Sequence, residues 1–144
     1  MKIREILKVK GSVLYTCMPE SLLTEALAMM VDKDVGSLLV REQGRLVGML
    51  SFREVLQAIN ANGGSIQGLA VKEVMERKPV SVPPDMDLED LRRLMLKSHV
   101  RYMPVVDDRD PVGVISFHDV AKARLEEQTY ESRMLKGFIK SSKE

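Results

Sequence analysis

Two short runs of this 144-residue chain hold the side chains best placed to do chemistry: Gly48-Met-Leu-Ser51-Phe-Arg53-Glu54 and Gly113-Val-Ile-Ser116-Phe-His118-Asp119. In each, an apolar stretch carries a glycine, then reaches a serine, and a carboxylate follows three residues later. If a strand ends and a helix begins at the serine, its hydroxyl and the first-turn N–H groups face one point. Such a helix start attracts anions, phosphate among them. The carboxylate three residues on lies on the same side of the helix. It can accept both hydrogen bonds from a ribose 2′,3′-diol, and the glycine lets backbone approach closely. Together these groups describe a nucleoside-phosphate pocket. The same Ser-x-x-acid spacing is also a capping box, and on the motif alone capping is the more frequent meaning. The two readings are compatible.

The elements needed to position these runs occur twice. Leu50 to Val55 returns as Ile115 to Val120, 65 residues later (51 to 116), and the same offset relates Pro19 to Pro84, Met30 to Met95, Val40 to Val105 and Gly48 to Gly113. A register kept across helix, hairpin and turn marks a duplicated structural unit. Each copy reads as an extended piece (Val13-Leu-Tyr15; Val80-Ser-Val82) entering a proline, then an amphipathic helix with apolar residues three to four apart. Two apolar runs joined by a polar turn follow, Ser37 to Leu50 and Tyr102 to Ile115, and predict a hairpin. A second helix is expected at Phe52 and at Phe117. The expected fold is therefore α+β, two β-α-β-β-α repeats related by a pseudo-twofold. The sequence divides into repeat one (1–60), a Gly63-Gly64 linker (61–67) that reads as a flexible hinge, repeat two (68–127) and a helical tail (128–144). Met134, Leu135, Phe138 and Ile139 form one stripe on that tail. Phe52 and Phe117 are expected in the core, since each follows an apolar strand directly.

Composition removes several function classes. Lys and Arg number 22 against 21 Asp and Glu, a net charge of +1, and aromatics are 4%, which argues against nucleic acid. No apolar run approaches the roughly 20 residues that span a bilayer, so no membrane partner is expected. The single Cys17 and two histidines give no ligand cluster for a metal. No GxSxG elbow, phosphate-binding loop or dinucleotide fingerprint occurs. A non-catalytic cytoplasmic protein with no required cofactor is expected.

On Val74-Met75, Pro84, the run Val100-Arg-Tyr-Met-Pro-Val-Val106 and the two Gly-h-h-Ser-x-x-acid endings (h, apolar), the chain resembles a tandem pair of cystathionine β-synthase (CBS) domains, a Bateman module. The resemblance spans about Ile3 to Leu125 and is nearest to stand-alone bacterial members without an attached enzyme. It implies a regulatory, signal-transducing homodimer that binds AMP, ADP, ATP, NAD or S-adenosylmethionine and reports occupancy to an unidentified regulated protein. By the same resemblance, Ser116 and Asp119 hold ribose and phosphate, Ser81 and Val82 read the adenine, and Arg101 reaches a phosphate. His118 stands beside that pocket, either touching phosphate or simply exposed. In the first copy Glu54 replaces the usual aspartate, leaving Thr16, Ser51, Arg53 and Glu54 as candidates. A structural or interaction module with vestigial clefts is the alternative.

Overall fold

The computed structural model describes residues 1–11 and 13–142, with side chains through 137. Each repeat builds its own core around one amphipathic helix. In α2 (Leu23–Lys33) the residues Leu23, Ala26 and Met30 are buried, and in α5 (Leu88–Ser98) Leu88, Leu91 and Met95 are. These spacings of three and four lay one apolar stripe on the sheet. Both helices stop at a left-handed residue, Asp34 (φ 53°) and His99 (φ 55°), which turns the chain into the hairpin.

The hairpins are β2 (Ser37–Glu42) with β3 (Arg45–Ser51), and β5 (Tyr102–Asp107) with β6 (Asp110–Ser116). Their antiparallel registers correspond: Ser37 faces Ser51 and Val40 faces Gly48, while Tyr102 faces Ser116 and Val105 faces Gly113. Both carry an irregularity just after that glycine pair. Gln43-Gly44 and Asp108-Arg109 all have positive φ, the geometry of tight two-residue turns that suit the strand twist. The extended pieces are shorter and later than expected. In the first repeat β1 (Thr16–Cys17) pairs parallel with Leu39 and Val40, and in the second only Val82 bridges Val105.

The segments leading each repeat cross over. α1 (Ile3–Lys10) packs in the second core, where Ile3 and Ile6 lie among Leu88, Leu91, Met103 and Ile115. Its start is pinned there: the Ile3 N–H donates to Met86 O, the Leu88 N–H donates to Met1 O, and the terminal amine pairs with Asp87 and Glu127. Reciprocally, α4 (Val71–Val74) enters the first core, and β4 (Glu76–Arg77) adds a fourth strand beside Gly48 and Met49. This exchange, with β3 against β6, gives the pair its pseudo-twofold. It also means that residues before and between the repeats complete cores other than their own.

Two segments gain detail and one expectation needs correction. The 61–67 stretch takes the form of a hydrogen-bonded turn after α3 (Phe52–Ala61). Gly63 and Gly64 take positive φ, the Gly64 N–H donates to Ile59 O, and the Asn62 side chain donates to Ser65 O. Glycine permits that backbone and the hydrogen bonds then hold it. The helical tail continues α6, which runs unbroken over Phe117–Ser142, with Met134 and Leu135 exposed and the side chains of Phe138 and Ile139 outside the described residues. Phe52 and Phe117 are 53% and 39% exposed, because each opens its helix and the core-facing positions fall later, at Val55 and Ala58 or Val120 and Ala123.

Candidate functional site

The two serine-acid motifs stand where expected, at the end of β3 and β6 and the start of α3 and α6, but their surroundings differ. At the first, the Ser51 N–H and hydroxyl both donate to Glu54 Oε1, at 3.1 and 2.9 Å. No protein donor reaches the other carboxylate oxygen among the described residues. Glu54 is 9% exposed. Burial raises its pKa, and the charge of Glu76 adds to this, while the bonds from Ser51 and the Arg53 charge oppose it.

Glu54 and Ser51 line a cleft of about 720 Å³, within the roughly 300–1,000 Å³ range of small-molecule sites. Its walls come from both repeats. Met49, Phe52, Val74 and Met75 form an apolar side, and His99, Arg101 and Tyr102 arrive from the second repeat opposite Arg53. Gly48 lets Met75, which lines this cleft, pack directly against β3. A Cβ there would stand 2.5 Å from Met75 Sδ and 3.0 Å from the Glu76 carbonyl. A carboxylate at one place and two exposed guanidiniums, Arg53 and Arg101, thus share one opening. That arrangement can accept hydroxyl protons and hold an anion on the same molecule.

At the second motif the capping box is reciprocal: the Ser116 N–H donates to Asp119 Oδ2 at 2.8 Å, and the Asp119 N–H donates to Ser116 Oγ at 3.0 Å. Lys10, the last residue of α1, donates to the same Oδ2 at 2.6 Å and to the Val114 carbonyl at 2.9 Å. Burial raises the Asp119 pKa, but the Lys10 ammonium and the bonds from Ser116 outweigh it and leave the carboxyl below its ordinary value. Leu7 lies over Gly113 as Met75 lies over Gly48.

Of the residues singled out in the sequence, the first cleft gathers Ser51, Arg53, Glu54 and Arg101. Arg101 therefore shares a cleft with Glu54, while its backbone carbonyl accepts from the Phe117 N–H beside the second motif. Thr16 is half-buried in β1 and does not line the cleft. Val82 is buried against β5, with the exposed Ser81 before it. His118 lines a groove along α6 with Lys122, Tyr130 and Arg133. Cys17 is half-buried, and burial pushes its thiol up to about 11, which makes it a poor nucleophile. Lys10, Glu76, His99 and Tyr102 were not among the candidates. Lys10 lies in the longer α1, eight residues against four in α4, and so had no helical counterpart to draw notice. Among the described residues no group of His, Cys, Asp and Glu could hold a metal, and no helix is long and apolar enough to cross a membrane.

A family model described as "CBS domain" matches residues 4–61 and 71–126. The CBS domain-containing protein YhcV of Bacillus subtilis is 34% identical over 119 residues, which cover 83% of this chain and 84% of that protein. The solved CBS domain structure NE2398 superposes with a TM-score of 0.81 at 27% identity, covering 86% of this chain and 98% of that one. The structure of CBSX2 in complex with AMP superposes with a TM-score of 0.74, also at 27% identity, covering 88% and 98%.

Proposed function

The chain belongs to the CBS domain family as a tandem pair of its repeats, and from that premise we propose a non-catalytic regulatory module that binds an adenine nucleotide in the cleft at Ser51 and Glu54. The observation that carries this reading is the convergence of one buried carboxylate and two exposed guanidiniums on a single cleft of about 720 Å³. In this pose a ribose hydroxyl donates to the vacant oxygen of Glu54. Arg53 and Arg101 neutralise the phosphate, and the purine lies against Met49, Val74 and Met75. A related structure of similar fold, CBSX2, holds AMP, which supports an adenosine compound over other anions.

AMP, ADP, ATP, NAD and S-adenosylmethionine all present the same ribose, so the guanidiniums favour those that add a phosphate near it. The cleft is walled by both repeats, so occupancy biases how they pack, provided that the ligand prefers one arrangement. A cytoplasmic homodimer would pass that bias to a regulated protein. The alternative, a structural or interaction module with vestigial clefts, draws on Glu54 in place of the usual aspartate and on the exposed Met134 and Leu135 of α6.

Titration calorimetry with AMP, ADP, ATP, NAD and S-adenosylmethionine tests the proposal. Saturable binding by at least one phosphate-bearing member, abolished by Glu54→Ala, is expected. No heat and no rise in melting temperature with any of the five at millimolar concentration would sink it, since a ligand at 100 times its Kd stabilises by about 2.7 kcal/mol.

A further inference from the structure

Gly36, just before β2, is required by space and not by backbone shape, since its φ lies outside the left-handed range. A Cβ there would fall on the Tyr102 hydroxyl, 2.5 Å from Tyr102 Cζ and 2.9 Å from Phe52 Cε2. Gly36 belongs to the first repeat and Tyr102 to the second. One ring therefore crosses between the repeats and ends against bare backbone. The two copies differ here. At the 65-residue offset Gly36 corresponds to Arg101 and Ser37 to Tyr102, and the strand registers agree, with Ser37 facing Ser51 and Tyr102 facing Ser116. The other copy has neither the gap nor the ring, so the repeat plan alone does not call for them.

Tyr102 and Phe52 both line the first cleft, and so does Arg101, the residue before Tyr102. Backbone bonds fix Arg101 and Tyr102 within the second repeat: Tyr102 pairs with Ser116, and the Arg101 carbonyl accepts from the Phe117 N–H at 2.8 Å. The groups proposed for ribose and purine stand elsewhere. Glu54 and Met49 are on α3 and β3, and Val74 and Met75 pack in the first core. A nucleotide in this cleft is thus held by one body at its nucleoside and by both bodies at its phosphate. We infer that Gly36 and Tyr102 form a seat between the repeats that positions Arg101 for the phosphate of a nucleotide held by Glu54. This rests on the nucleotide reading of the first cleft. Whatever places the Tyr102 ring against the first repeat also places the guanidinium one residue before it. A methyl at position 36 overpacks the seat and forces the ring to give way, carrying Arg101 out of line while leaving the nucleoside contacts of the first repeat in place. Tyr102 and Gly36 are accordingly positioning residues, acting through Arg101.

Calorimetric titration of AMP and of adenosine into wild type, Gly36→Ala, Arg101→Ala and the double variant of these two tests the seat. Gly36→Ala should weaken AMP roughly tenfold, the share of one charge-assisted hydrogen bond, and leave adenosine within about threefold. In the Arg101→Ala background the same change should cost AMP nothing more, because the two residues act as one unit. AMP binding by Gly36→Ala within twofold of wild type, losses that multiply in the double variant, or adenosine weakened as much as AMP would each overturn the inference. Should Gly36→Ala fail to fold, Gly36→Ala combined with Tyr102→Ala, which removes the ring, should fold again in thermal melts; a pair that stays unfolded would also overturn it. Wild type that binds AMP beside an indifferent Gly36→Ala refutes the seat alone. Wild type that binds no AMP refutes the first-cleft reading and the seat with it.

Discussion

Replacing Glu54 with glutamine separates what this side chain does for the fold from what it does for a ligand. The Ser51 N–H and hydroxyl both donate to Oε1, at 3.1 and 2.9 Å, and an amide oxygen accepts both, so the start of α3 survives. The second oxygen, which no protein donor reaches, becomes an NH₂ that cannot accept a hydroxyl proton. A hydrogen bond to a charged group contributes about 1.5–3 kcal/mol, so AMP affinity should fall roughly 10- to 100-fold. Stability should move the other way. The Glu54 pKa is raised by burial above all, so the folded chain favours its protonated form. That contribution is complete below the unfolded pKa and is lost as pH rises through the folded one. Glu54→Gln should therefore melt higher than wild type near pH 8, with the gap closing as pH falls through the carboxylate range. Calorimetric titration and thermal melts from pH 4 to 8 read both effects. AMP binding within twofold of wild type, or a melting difference that ignores pH, would refute the reasoning.

Arg101→Ala should weaken AMP by about tenfold and flatten the salt dependence of binding, read by titration at two ionic strengths, since one phosphate partner is removed. Asp119→Asn should destabilise by about 1–2 kcal/mol at neutral pH through lost charge-assisted hydrogen bonds. Because the Asp119 pKa is lowered, its contribution is present above the unfolded pKa and lost as pH falls through the folded one. The variant's deficit in urea unfolding should accordingly shrink in acid. Ile3→Ala should cost about 2–5 kcal/mol, also by urea unfolding, because Ile3 is wholly buried in the second core. A near-neutral effect would contradict the crossed packing of α1.

Much of the architecture was legible because the core positions recur with strict spacing: Leu23, Ala26 and Met30 on one helix, Leu88, Leu91 and Met95 on its copy. The hairpins were legible from paired apolar runs about a polar turn, Ser37 to Leu50 and Tyr102 to Ile115. What escaped were features set by the chain's path between repeats. That α1 serves the second core depends on tertiary pairing, with Ile3 bonded to Met86 rather than to anything nearby in sequence. Gly63-Gly64 read as a hinge by composition, yet the same backbone freedom lets it close a hydrogen-bonded turn. The motif residues were found correctly as pairs, Ser51 with Glu54 and Ser116 with Asp119. Lys10 reaches Asp119 from 109 positions away, a pairing that no local pattern shows.

A crystal grown with AMP tests the central claim most directly. The account expects nucleotide between Met75 and Arg101, with a ribose hydroxyl within hydrogen-bonding reach of Glu54 Oε2 and phosphate beside Arg53 or Arg101. Nucleotide bound at Asp119 with the first cleft empty would contradict it.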